Sequence, residues 1–476
     1  MATVGPASSD PQVLRELLRA GVNIFRLNLS HGDQATHRET VRRIREAATE
    51  QRIYVPIVFD LMGPRYRLGQ LPEGPRVLEE GQQVQLGLPD AGIELPVEDP
   101  ELIAHLQPGE RVLIDNGLVE LSVATRHDGY LTCKVLHGGT VTTRKGINLP
   151  DTDLPFHISA KDRSDIFFAA EVGADLIAAS YVGRAQHIED LRKVIAEAGG
   201  DLPVVAKLER VAAVENLDEI LEVADGVMVA RGDLGVEVPL PQVPVLQKKI
   251  VAAGLRTGRP VIVATQMIES MMEQPRPTRA EVTDIANAVF DGADVLMLSG
   301  ETAAGKYPVE AVRTMARIIE QAESYREGMT QHTFGPLEVA GEAQEESFDI
   351  SNAVSAAAAH AAGMLKVKHI VAFSQGGFTA RLITRYRPEA SILVFTVSVR
   401  VARRLQLLWG VRPLVLDTIL QHHDEVVDVV DHQLRELGLA DPGDVLVLLM
   451  GDPISQRPRT NLLRIHRVRP GSEAGG

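Results

Sequence analysis

The sequence predicts an α/β protein: a (β/α)8 TIM barrel that carries an inserted small all-β domain and is followed by a second α/β domain. Three observations predict it. Short β-branched runs alternate with longer segments of helical period, as in a parallel sheet wrapped by helices. That rhythm breaks between Gly69 and about Asp153, where short strands and turn signals replace it. It resumes after a polar stretch, Gln331–Glu346, that contains Gly and Pro. A chain of 476 residues exceeds one ordinary core, and a barrel of roughly 250 residues leaves room for both additions.

Taken in order, strands are expected at Thr3–Val4, Asn23–Leu27, Pro56–Asp60, Leu176–Ala179, Val204–Lys207, Gly226–Ala230, Val261–Thr265 and Val295–Leu298. Segments of helical period lie between most of them, among them Pro11–Ala20, Thr36–Ala48, Lys161–Val172, Ile188–Ala198 and Val245–Thr257. Eight strands so spaced close most economically as a barrel. In the interruption, Pro72-Glu73-Gly74, Glu80-Gly81, Pro108-Gly109 and Asn116-Gly117 read as turns between short strands. The expected division is therefore residues 1–69 and 154–330 for the barrel, 70–153 for a β-rich lid, and 331–476 for the C-terminal domain. The last has strands near Ile370–Phe373, Ile392–Thr396, Pro413–Leu416 and Val445–Met450.

Bulk composition excludes several classes. The net charge of −15 and the 4% aromatic content give neither a basic face nor stacking platforms for nucleic acid. No apolar run reaches the ~20 residues needed to span a bilayer. The single cysteine, Cys133, rules out an intramolecular disulfide framework, and no basic-then-apolar leader is evident at the start. Together these point to a cytoplasmic protein.

In a β/α barrel, chemistry gathers where strands end. Here seven of the eight expected strands end in a charged or hydroxyl residue. The second runs through Arg26 and Asn28 to Ser30 and His31, the third ends at Asp60, and the fourth at Ser180. The fifth ends Lys207-Leu208-Glu209, the sixth enters Arg231-Gly232-Asp233, the seventh ends at Thr265, and the eighth enters Ser299-Gly300-Glu301. Residues two apart share a strand face, so Lys207 and Glu209 can project into one mouth, as can Arg26 and Asn28. A lone Lys-x-Glu is usually a solvated pair. Repetition at one end of so many strands is not explained by solvation. Glu209 and Asp233 among Lys and Arg suit a hard divalent ion, Mg²⁺ or Mn²⁺, that shares its shell with an anionic substrate. His31 has no His or Cys companion at metal-ligand spacing, which argues against a transition-metal site.

Several strings carry a resemblance: Arg26-Leu27-Asn28-Leu29-Ser30-His31-Gly32, the Asp60…Gly63-Pro64 turn, Lys145-Gly146-Ile147-Asn148-Leu149-Pro150, and Val229-Ala230-Arg231-Gly232-Asp233-Leu234-Gly235-Val236-Glu237. Ala264-Thr265-Gln266-Met267-Ile268-Glu269-Ser270-Met271 and Met297-Leu298-Ser299-Gly300-Glu301-Thr302-Ala303 extend it. In order and over nearly the whole chain, these resemble pyruvate kinase. The resemblance implies a glycolytic phosphotransferase that moves the phosphoryl group of phosphoenolpyruvate to ADP, giving ATP and, through an enolate, pyruvate. It implies Arg26, Lys207, Thr265 and Ser299 as catalytic residues, and Arg231, Gly232 and Asp233 beside the substrate. It implies Glu209 and Asp233 at the metal, and Asn28, His31, Arg67 and Lys145 at the nucleotide.

The resemblance further implies a homotetramer and an allosteric sugar-phosphate or nucleotide effector. A Ser374-Gln375-Gly376-Gly377-Phe378-Thr379 turn offers Ser374, Gly376 and Thr379 to a phosphate, with Arg381, Arg385 and Arg387 nearby; ordinary strand-to-helix turns look the same. Members that require K⁺ commonly have Thr and Glu where this chain has Leu61 and Arg65, and those that do without it commonly have Leu and Lys. The region of Asn28, Ser30, Asp60 and Leu61 is then expected to need no K⁺, with Arg65 supplying the charge. Gly183 stands where an arginine is common. Two rival readings share the barrel and its carboxylates: an enolate-forming aldolase or phosphoenolpyruvate mutase, and a catalytically weak effector-binding paralogue. The lid and the C-terminal domain tell against the first.

Overall fold

Eight parallel strands, Ala2–Thr3, Phe25–Asn28, Ile57–Asp60, Leu176–Ala179, Val204–Leu208, Gly226–Ala230, Val261–Ala264 and Val295–Met297, pair in chain order. A parallel bridge from Ala2 to Leu298 closes the ring. The structure, a computed structural model, describes all residues except 72, 90–91, 153–154, 330–345, 418–422, 453–458 and 471–476. The expected linker Gln331–Glu346 therefore lies outside the described residues, apart from Glu346, where a helix running to Leu365 begins.

Strands buried on both faces explain the continuous apolar runs. Ile24, Val58, Leu176, Ala178, Val205, Met228, Ile262 and Ala264 fill the barrel interior. Their odd-phase neighbours, such as Phe25, Phe59, Ile177, Val204 and Val227, pack outward against the helices. Local chemistry fixes the helix ends. Asp10 caps Pro11–Arg19 by accepting the Gln12 amide, with Pro11 preset for the first turn. Thr278 and Glu281 form a capping box on Arg279–Asp291, which stops at Gly292 in the left-handed region.

The lid holds a seven-stranded sheet and a two-stranded one, Arg76–Leu78 with Gly139–Val141, around its own core, including Leu86, Leu121, Leu131 and buried Cys133. The chain enters it through Tyr66–Arg67 and leaves through Gly146–Asn148, two antiparallel neighbours. It also holds a short helix, Pro100–His105, that the sequence reading did not place. The C-terminal sheet is mixed: strands His369–Phe373, Ser391–Thr396, Val411–Val415 and Val445–Met450 are parallel, and Leu462–Arg467, not foreseen, adds an antiparallel edge. This domain docks under the barrel, where Leu407 joins the interior cluster. Among the described residues no helix is long and apolar enough to cross a membrane.

Candidate active site

Strand parity builds the site. Val58 and Val205 face the barrel interior, so Asp60 and Lys207, two residues on, face its mouth; Ala178 places Ser180 and Ile24 places Arg26 in the same way. The resulting network is tight. Arg26 Nε donates to Asp60 Oδ2 at 2.6 Å, and its Nη1 donates to Thr3 Oγ1 at 3.0 Å. Lys207 Nζ lies 3.3 Å from Asp60 Oδ1 and 2.7 Å from Glu209 Oε1, and donates to Ser180 Oγ at 2.7 Å. Glu209 lies just past the strand end at Leu208; its other oxygen accepts the Tyr181 amide at 2.7 Å. Sequence alone assigns no role to Thr3 or Ser180: a hydroxyl's partner depends on the ring closing, which no local pattern reports.

Charge balance keeps these groups ionised. Burial works against the Asp60 carboxylate, but Arg26 and Lys207 outweigh it and hold the group below its usual range. Burial likewise works against the Lys207 ammonium, and Asp60 and Glu209 outweigh that and hold it above its usual range. Glu209 differs. Burial pushes its carboxyl up, Lys207 draws it down, and Asp233 adds like-charge repulsion. Glu209 and Asp233 therefore form a carboxylate pair that one more cation would relieve, and oxygen donors of this kind suit Mg²⁺ or Mn²⁺. Among the described residues no group of three or more His, Cys, Asp and Glu could hold a metal by itself.

Across the mouth, the helix Arg231–Glu237 starts directly from its strand. The Arg231 guanidinium turns to Asp284 at 2.6 Å and to the Thr265 carbonyl at 2.7 Å. The Gly232 amide donates to Thr265 Oγ1 at 2.8 Å. Thr265 holds a φ of 68° and Tyr181 one of 59°; such strain at strand ends marks positions the surroundings over-determine. The Ser299 amide donates to the buried Glu301 at 2.7 Å.

The remaining expected residues spread over the mouth and the lid root. Asn28 Oδ1 accepts the Ser30 amide, and Leu61 is buried. His31 is exposed, with its carbonyl 2.8 Å from His37 Nε2. Arg67 is exposed on the entering lid strand, and Lys145, next to the leaving strand, pairs with Asp115 at 2.7 Å. Arg65 is exposed and makes no ion pair among the described residues. In the C-terminal turn, Ser374 Oγ accepts the Gly377 amide and Thr379 Oγ1 lies 2.6 Å from Thr460 Oγ1. Arg385 and Arg387 do not serve that turn. Arg385 donates to the Leu255 carbonyl, and Arg387 donates to the Gly292 carbonyl while pairing with Asp294, so both clamp the ends of barrel helices.

A lysine, an arginine and two carboxylates fit for a hard cation, converging at the mouth of a lidded barrel, define a metal-assisted enzyme acting on an anionic substrate. The sequence models for the pyruvate kinase barrel domain and the pyruvate kinase alpha/beta domain match residues 1–312 and 352–466. The chain belongs to the pyruvate kinase family, and its activity is transfer of the phosphoenolpyruvate phosphoryl group to ADP, giving ATP and pyruvate. The chain is 41% identical to the pyruvate kinase of Geobacillus stearothermophilus, over 98% of this chain and 80% of that one. It is 40% identical to one from Agrobacterium vitis, over 98% and 96%. A solved pyruvate kinase from Cryptosporidium parvum superposes with a TM-score of 0.89 at 34% identity, covering 98% of this chain and 95% of that one. The family uses a divalent metal.

Proposed function

We propose that Lys207 is the main stabiliser of the phosphoryl group in flight. The observation that carries this reading is its position: a buried ammonium, kept charged, held at the barrel mouth between Asp60, Glu209 and Ser180. Arg26, fixed by Asp60 and Thr3, grips the same group. An oxygen of the ADP β-phosphate attacks phosphorus, the bond from phosphorus to the enol oxygen breaks, and the enolate left behind takes a proton at carbon. Protein charge placed before the reaction costs no reorganisation during it. Thr265 and Ser299 are the hydroxyl-bearing candidates for the proton relay, and the backbone at Arg231, Gly232 and Asp233 receives the substrate carboxylate.

Glu209 and Asp233 would hold the divalent ion, which would supply positive charge beside the anionic substrate. Asn28, His31, Arg67 and Lys145 contact the nucleotide, with closure of the lid excluding water. Ser374, Gly376 and Thr379 receive an effector phosphate, and the enzyme works as a homotetramer, independent of K⁺. The test is Lys207→Met, assayed by coupling pyruvate to a dehydrogenase. Turnover should fall by about 10³-fold with Mn²⁺ affinity retained, since one preorganised donor is worth 10² to 10³. Near-normal turnover would sink the assignment.

A further inference from the structure

Glu237 closes the helix that begins at Arg231, and it is 4% exposed. Its carboxylate joins three parts of the molecule. Oε2 accepts the amide of Val211 at 3.3 Å, the first residue of the short helix Val211–Glu215 that starts two residues beyond Glu209. The Asn148 side chain, on the lid's leaving strand, faces the same carboxylate across a shared cavity and favours its charged form. Oε1 lies 3.9 Å from Arg210 Nε. Arg210 in turn donates from Nη2 to the Thr152 carbonyl at 2.9 Å, just past that strand, while the Thr152 hydroxyl donates to Glu110 of the lid. Glu237 and Arg210 line one cavity with Tyr66, Ile147, Asn148 and Tyr181, at the seam between lid and barrel.

We propose that Glu237 is a positioning residue that fixes the lid's leaving strand to the segments carrying Glu209 and Asp233, and so sets where Lys145 stands over the nucleotide. The proposal rests on the assignment of Lys145 to ADP. A buried carboxylate is costly to desolvate, and a core whose only task was packing would be served by an apolar side chain. What an apolar side chain cannot do is accept the Val211 amide while its charge faces Asn148 of the lid and Arg210, which itself donates to Thr152 beyond the lid's leaving strand. Lys145 lies three residues before Asn148, so a shift of that strand moves the ammonium directly. Arg210, next to Glu209, adds a second strut to the lid.

The experiment compares Glu237→Gln, Asn148→Ala and the exchange Glu237→Gln/Asn148→Asp in the full-length enzyme. Each single variant should raise KM for ADP about tenfold, with kcat and KM for phosphoenolpyruvate within about threefold, because misplacement acts on the group the lid delivers. The exchange restores a carboxylate and amide pair and should recover most of the loss. Hydrogen exchange in Gly146–Asn148 should quicken in the single variants and not in the barrel strands. An equal fall in kcat with both KM values unchanged is what a merely structural residue gives, and it would overturn the proposal. So would unchanged kinetics. Lys145→Met is the separate check: if it leaves KM for ADP untouched while Glu237→Gln raises it, the nucleotide assignment falls and the strut stands.

Discussion

The Arg26 guanidinium delivers both Nε and Nη2 to a single oxygen of Asp60, each at 2.6 Å. The other Asp60 oxygen is left to Lys207. One buried carboxylate thus sets the position of both cations assigned to the phosphoryl group.

Asp60→Asn should therefore act on stability and on rate together. The shape is kept, but two buried cations lose their shared counter-charge. Removing one partner of a buried ion pair costs about 3–5 kcal/mol. Urea denaturation should show a loss of that order, and kcat should fall by about 10²-fold as Arg26 loses its aim. A variant as stable and as fast as the parent would show that Thr3 and Ser180 suffice to hold the two cations.

The carboxylate pair is tested by metal titration. Glu209→Gln and Asp233→Asn should each weaken Mn²⁺ binding by at least about tenfold, measured by paramagnetic relaxation. Since Glu209 also pairs with Lys207, its loss should affect kcat beyond what saturating metal restores. Unchanged affinity in both variants would place the metal elsewhere.

Much of this arrangement was legible in the sequence, and the reasons are physical. Strands buried on both faces leave unbroken apolar runs, and polar residues at their ends stand out against them, as at Asp60 and Lys207. The last strand, Leu462–Arg467, was not legible because an edge strand with exposed Arg464, Ile465 and Arg467 lacks that contrast. Pro100–His105 is too short to show a helical period. Arg385 and Arg387 follow a phosphate-like turn in sequence, yet they point to barrel carbonyls some hundred residues away in the chain. Glu237 reads as one more acidic residue on a helix, because Val211 of the barrel and Asn148 of the lid come beside it only in the folded chain.

The buried strut has a pH signature in stability. Burial raises the Glu237 carboxyl to about 7, with Arg210 and the Val211 amide opposing and Glu209 adding repulsion; Tyr181 and Arg111 are the other titratable groups within its field. Below about pH 4.5 both folded and unfolded chains carry the proton. Between there and about pH 7 the folded chain holds more protons than the unfolded one, so this group lowers stability as pH rises, and above 7 the penalty is complete. Gln at this position never ionises. In metal-free buffer, the stability of Glu237→Gln relative to the parent should rise from pH 5 to pH 8 by up to about 3 kcal/mol, the equivalent of the shift. A difference that stays flat with pH would mean that Glu237 ionises freely.

The last prediction concerns the monovalent cation. A K⁺ held by Asn28, Ser30 and Asp60 would need a share of the Asp60 carboxylate, and both of its oxygens already face protein cations, Arg26 and Lys207. A third positive charge there meets two resident ones in a site that water screens poorly. Arg65, at the edge of the same mouth, adds a further positive field: it is felt at Tyr181, which neighbours Glu209, although its own exposure lets solvent weaken it. The buried pair and the surface arginine push in one direction. Activity in Tris or Na⁺ buffer at constant ionic strength should lie within about threefold of that in K⁺, and Arg65→Glu should lower it or create a K⁺ requirement. Strong activation of the unmodified enzyme by K⁺ would mean that Asp60 shares its oxygens after all and that the Arg65 charge is fully screened.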